Sequence, residues 1–475
     1  MGRRKELAKN TAILTLGKLL TKVVSFLFLP LYTAILLAEE MGTYDLMVTY
    51  GTLLFPLVNW QFGQGLFRFM LDNREDTERH TVLFSTLLTS SVFQCAAYAV
   101  IFLLIRPLLR FEDTYFLLWY VILSVFMTLL MQFVRGLGSN TKYAVASFIS
   151  AAATTILNVV AIVWLHMGIK GMFISTLIAQ AMTVVYLIFA SKCWRYFRFG
   201  LFDRAAFKSV CAYSLPLIPN NLAWWVVNAS DRTVISVFLG VAANGIYAVA
   251  NKFPNLFIQF YNILNLSWTE TVTLHYQDED RDEFLTETMT DLFKMFSCVC
   301  FLLIAVMPFL FPVMVNAKYA DAYNHILILL YGMLFRVLVG LYSCIYIAQK
   351  NAKKIAATSV SAAIINLTVD FLLIRRIRIY AASVSTLVAF LTMFVIRYLD
   401  VNKTVRMRIR PKIAVSSIIA GAVCTVSYYS GNRILQAAVF AAVLAYSAAV
   451  NMDMVRAGSG MVRRMFRKKS GKGEA

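Results

Sequence analysis

The sequence predicts an all-α polytopic membrane protein, with fourteen transmembrane helices in two six-helix lobes plus two C-terminal helices. Three observations predict it: composition, the spacing of apolar segments, and the distribution of charge. Of 475 residues, 60% are hydrophobic and only 15% charged, a balance that no soluble domain of this size tolerates. Segments long enough to cross a hydrocarbon layer about 30 Å thick recur along the whole chain. They run 11–38, 44–67, 81–105, 115–134, 143–165, 171–190, 210–239, 245–268, 292–315, 323–348, 355–374, 380–399, 413–430 and 434–450. Each must be helical, because backbone N–H and C=O groups in lipid have to be satisfied within the segment. The basic residues concentrate in alternate connections, beginning with the N-terminal tail. The net charge of +20 is therefore a positive-inside bias rather than a nucleic-acid footprint, and it puts both termini in the cytoplasm of a multi-pass plasma-membrane protein. The Arg463–Lys469 run reads as a cytoplasmic anchor on anionic membrane lipids.

The first span carries the main polar signal. Thr11, Thr15, Lys18, Lys22 and Ser25 recur at spacings of four and three, forming one polar stripe along a helix. Lys18 and Lys22 lie about 10 and 17 Å into the membrane, too deep to reach the surface easily. Each costs about 2.5–3.5 kcal/mol unless its face looks into water or protein. No acid occurs in this helix, and Glu39, Glu40 and Asp45 belong to the opposite membrane face. Lys18 and Lys22 are thus candidate binding residues for an anion, gripped and released by a mobile point charge.

A weak internal repeat organises the rest. Glu40-Met41-Gly42-Thr43-Tyr44 opens the second span, and Ala243-Asn244-Gly245-Ile246-Tyr247 opens the eighth, 203 positions on. Asn158 in the fifth span and Asn366 in the eleventh follow similar Ser-Ala-Ala settings. Six helices separate the copies, so the halves share one topology about a pseudo-two-fold axis along the membrane normal. The expected division is an N-terminal lobe at 1–200, a second lobe at 201–400, and two helices with a basic tail at 401–475. Two similar lobes suggest a rocker whose central cavity opens alternately to each side. The basic, aromatic Ser191–Lys208 stretch is the expected connector between lobes, and the acidic Thr269–Asp291 stretch a solvated cytoplasmic helix.

Other intramembrane charges are weighed one by one. Arg232 and Lys252 lie about 12 Å from the outer ends of the seventh and eighth spans, as candidate substrate-binding cations, with a helix break expected at Pro254. Asp231 beside Arg232 is expected to pair with a neighbouring cation or to carry a coupling ion. Arg68 and Glu270 mark the cytoplasmic mouth, the first as a substrate contact and the second as a further ion-coupling candidate. Arg336, midway along the tenth span, must be paired or hydrated, with a structural role inside its lobe expected. Asp370 is expected to bridge to Arg375, Arg376 or Arg378 just beyond it. Seven scattered cysteines and four dispersed histidines give neither a disulfide framework nor a metal site. No phosphate-binding loop for ATP and no sizeable outer catalytic loop is present, so no cofactor is expected, and an enzyme is not.

The helix start at Glu40–Tyr44, Ser214-Leu215-Pro216-Leu217-Ile218-Pro219, and Asp231-Arg232-Thr233-Val234-Ile235 followed by Leu239-Gly240 and Gly245-Ile246-Tyr247-Ala248 carry a resemblance across nearly the whole chain. The sequence resembles the polysaccharide flippases of the MOP superfamily, the Wzx-type transporters of lipid-linked oligosaccharides, with MurJ and SpoVB as relatives. The resemblance implies alternating-access export of an undecaprenyl-diphosphate-linked oligosaccharide, with polysaccharide-assembly proteins as candidate partners; coupling to Na+ or H+, through Asp231 or Glu270, stays open. Thr21-Lys22-Val23-Val24-Ser25-Phe26 is similar to a MurJ stretch that holds a cavity cation. The next MurJ cations fall at Phe28 and near Val58 and Asn59 here, which favours a Wzx-type cargo over lipid II. The alternative is a MATE-type multidrug antiporter of organic cations, which needs acids deep in a lobe.

Overall fold

The computed structural model describes residues 26–72, 76–108 and 113–452. Lys18, Lys22, their polar stripe and the Arg463–Lys469 run lie outside the described residues. All regular structure among those described is helical. The helices are α1 Leu29–Ile35, α2 Ala38–Asn59, α3 Phe62–Asp72, α4 Thr77–Ile105, α5 Thr114–Gly136, α6 Asn140–Val159, α7 Gly168–Ser191, α8 Arg204–Ser214 and α9 Leu217–Leu239. They continue as α10 Val241–Ala250, α11 Lys252–Leu274, α12 Arg281–Met314, α13 Tyr323–Ala348, α14 Ala352–Ile377, α15 Tyr380–Val401, α16 Pro411–Tyr429 and α17 Arg433–Val450.

Ten of these segments are long and apolar enough to cross a membrane. The α2–α3, α9 and α10–α11 segments fall outside that set, and they are the ones that are broken or polar. The second span bends where Trp60 and Gln61 both take left-handed backbone angles, φ 50° and 58°, between α2 and α3. The eighth breaks at Asn251, three residues before Pro254, whose ring opposes the carbonyl of Ala250 and so ends α10 there. Asn220, Asn221, Asn228, Asp231 and Arg232 put three amides and two charges into α9.

The described residues pack as two compact units. One holds the chain up to Lys252 together with 315–322 and 363–382, and the other holds 253–314, 323–362 and the residues from 383 onward. In the first, Phe62, Leu66, Met70, Phe84, Phe133 and Val210 form a buried core, with the Phe84 and Phe133 rings stacked at 4.2 Å. The connector forms the short helix α8, started by Asp203, whose carboxylate accepts from the N–H groups of Ala205 (2.7 Å) and Ala206 (3.2 Å). In the second, the acidic stretch enters the spanning helix itself. α12 runs unbroken from Arg281 to Met314, and its first turns hold the 406–410 connection through Asp282, Thr286, Thr290 and Glu287, the last on Arg410 at 2.9 Å.

Candidate functional site

The repeated Gly-x-Tyr helix starts meet each other. α2 and α10 cross at Gly42 and Gly245, where the Asn244 amide donates to Gly42 O at 3.0 Å. A methyl group on Gly42 would overlap Val241 O, and one on Gly245 would overlap Ala38 O, so the approach needs the bare backbone of both glycines. By the charge bias of the connections, this end is expected to be the outer one.

Three further contacts join first-half to second-half helices at this end. Arg232 on α9 donates from Nε to Asp45 Oδ2 on α2 at 2.7 Å, and from Nη1 to Asn228 O at 2.9 Å. Trp225 donates to Thr49 O at 3.1 Å, one turn deeper. The turn at 316–319 closes over α1 and its end, with Tyr319 donating to Leu36 O and Lys318 to Ala34 O, both at 3.0 Å, and Asn316 N to Thr33 Oγ1. The Arg232–Asp45 side chains are 13% and 21% exposed, too little for solvent to screen the pair fully.

Asp231 turns the other way from its neighbour. It is buried and accepts from the Tyr247 hydroxyl at 2.8 Å, with Asp370 of α14 as its electrostatic neighbour. Asp370 does not bridge to the arginines that follow it. It is fully buried with neither carboxylate oxygen hydrogen-bonded among the described residues, while Arg375 lies over the Phe238 ring at 5.6 Å. Beside them Ser230 donates to Asn366 Oδ1 at 3.4 Å. Asn366 thereby joins the eleventh span to the seventh, as Asn158, donating to Tyr32 OH at 3.4 Å, joins the fifth to the first. The asparagine repeat is thus a repeated bridge between equivalent spans.

The remaining candidates are scattered. Arg68 is half-exposed and pairs with Asp72 one turn on at 2.6 Å. Lys252 is exposed at the start of α11, and Glu270 is exposed near the far end of that helix. Arg336 has no carboxylate within ion-pairing distance among the described residues. Its contacts are Met333 Sδ at 3.9 Å and the Phe390 ring at 5.8 Å. Sequence reasoning missed Arg397, which is fully buried in α15. The only signal was its place in an apolar helix, four residues from the C-terminal end of α15. A cavity of about 500 Å³ in the second unit, lined by Phe293, Phe301, Leu334, Phe394 and Ile418 among others, is mainly apolar and offers nothing to a charged group.

The polysaccharide biosynthesis protein family matches residues 7–268, more than half of the 475-residue chain. The chain belongs to that family. No curated protein matches this polysaccharide biosynthesis protein by sequence. Its fold is shared with the lipid II flippase MurJ in an inward closed conformation, at 15% identity and a TM-score of 0.69, over 94% of this chain and 99% of that one. It is shared also with a MATE-family multidrug resistance transporter of the MOP superfamily. The inward-facing form of such a transporter gives a TM-score of 0.66 at 14% identity, covering 82% of this chain and 98% of the other. An outward-facing form gives 0.55 at 14% identity, covering 83% and 96%. The chain is therefore a multi-pass membrane protein that shares its fold with MurJ and with MATE-family transporters.

Proposed function

We propose that this protein is a flippase of the plasma membrane, carrying an undecaprenyl-diphosphate-linked oligosaccharide from the cytoplasmic to the outer leaflet by alternating access, with both termini cytoplasmic. The observation that carries the reading is the junction at Gly42 and Gly245. Helix starts from the two sequence repeats meet there, through backbone contact, cross-half hydrogen bonds and one cross-half ion pair. Such a junction can part and re-form as a unit. Family membership supports the polysaccharide pathway, and MurJ shows that the fold can serve a lipid-linked cargo.

In this reading Lys18 and Lys22 receive the diphosphate, with Arg68 at the cytoplasmic mouth and Lys252 further along the route. Arg232 is held by Asp45 while the outer end is closed and becomes available to the headgroup only when that pair separates. The polyprenyl tail stays in lipid. The coupling site for Na+ or H+ in this reading is Asp370, buried with neither carboxylate oxygen hydrogen-bonded among the described residues, together with its neighbour Asp231, in preference to the exposed Glu270. Reconstituted protein that moves the lipid-linked oligosaccharide to the outer leaflet, and loses this with Lys22→Ala, supports the proposal. Equal movement in protein-free vesicles refutes it.

A MATE-type antiport of organic cations is the second reading. Asp370, buried without a hydrogen-bond partner among the described residues, is the observation that favours it. Expression that raises drug resistance, and loses this effect with Asp370→Asn, would support it over the first.

A further inference from the structure

Two arginines lie within the second unit and are held in opposite ways. Arg397 donates to Thr358 Oγ1 at 2.8 and 3.0 Å, to Val339 O at 3.2 Å and to Ser343 Oγ. Neutral oxygens of α13 and α14 meet its fork on every side. The nearby carboxylate of Asp400 is taken by Lys354 and Tyr346, at 2.7 and 2.8 Å. Arg397 is therefore a fixed strut between helices.

Arg336 sits midway along α13, about 20 Å from either end, and holds no oxygen acceptor among the described residues. A thioether and an aromatic face can share its space, but neither satisfies five N–H donors. An intramembrane guanidinium left in this state marks a functional position by default. Its face of the helix is also shaped to admit a second polar group. One turn on, at Gly340, a methyl group would overlap the hydroxyl of Tyr261, so the glycine lets that phenol of α11 in. Tyr261 donates to Asn265 Oδ1 at 2.7 Å and is the electrostatic neighbour of Arg336.

We infer that Arg336, with Tyr261 beside it, is an oxyanion-binding subsite for the transported headgroup, an inference that rests on the flippase reading above. The guanidinium fork fits the two oxygens of a phosphate or a carboxylate, and the phenol can exchange Asn265 for the same anion. Either the diphosphate or an acidic sugar supplies that chemistry.

The test uses the full-length protein in nanodiscs, and reads the rise in melting temperature with undecaprenyl diphosphate, inorganic pyrophosphate and free glucuronate as probes. Arg336→Gln is expected to weaken at least tenfold the binding of pyrophosphate or of glucuronate, whichever source the site reads. Arg336→Lys, which keeps the charge and loses the fork, should fall between, and Tyr261→Phe should weaken the same probe several-fold. Unchanged binding of every probe by Arg336→Lys and Tyr261→Phe overturns the subsite, even where Arg336→Gln fails to fold. Wild-type protein that ignores undecaprenyl diphosphate defeats the flippase reading instead. In that case the two free anions still decide whether Arg336 binds an oxyanion.

Discussion

Gly42 and Gly245 hold α2 and α10 in backbone contact: an ideal Cβ on Gly42 would lie 2.8 Å from Gly245 N and would overlap Val241 O. The obstacle is main chain on both sides, so no rotamer change can make room, and adding a methyl group forces the helices apart. Overpacking of this kind costs about 1–3 kcal/mol or more. Gly42→Ala or Gly245→Ala should therefore expose the ends of α2 and α10 at this junction to an impermeant thiol reagent, read at Met41→Cys, a buried position, in a cysteine-free background. Thr43→Val, one residue away on a less buried position, should leave labelling unchanged.

The Arg232–Asp45 pair makes a distinct prediction, because two roles for Arg232 compete. Removing one partner of a pair this buried leaves an uncompensated charge, worth about 3–5 kcal/mol. Arg232→Ala and Asp45→Ala should each lower the melting temperature, and the reversed pair Arg232→Asp with Asp45→Arg should recover most of the loss. Recovery of stability without recovery of transport is the expected outcome where Arg232 also meets the headgroup during the cycle. Full recovery of both would make the pair a latch alone.

Asp231 and Asp370 test the coupling. Asp370→Asn removes one carboxylate from a buried pair and should leave the fold intact, while making transport insensitive to an imposed Na+ or H+ gradient. Flux assays in vesicles with each gradient applied separately identify the ion. A variant that keeps its gradient dependence removes Asp370 from the coupling role.

How much of this was legible in the sequence depends on the range of the interaction. Ten of the spans, the charges of α9, the break before Pro254 and the repeat of Gly42 with Gly245 are local or periodic signals that the described residues carry. That the two repeats would touch each other is not local information, nor is a partner for Arg232 that lies 187 positions away at Asp45. Charge proximity along the chain misled at Asp370. Arg375 and Arg376 follow it closely, yet the helix turns them toward other surroundings and leaves the carboxylate facing Asp231. Arg397 was invisible for a similar reason, since its acceptors are hydroxyls and carbonyls on two other helices. Arg336 was expected to find a structural partner, and the described residues supply none of opposite charge.

The most direct test of the account is translocation itself, measured as the arrival of an undecaprenyl-diphosphate-linked oligosaccharide headgroup in the outer leaflet of vesicles holding wild-type, Lys22→Ala or Lys22→Arg protein. A deep cation that receives the diphosphate predicts loss of movement with alanine and partial retention with arginine. Wild-type movement in the alanine variant would contradict it.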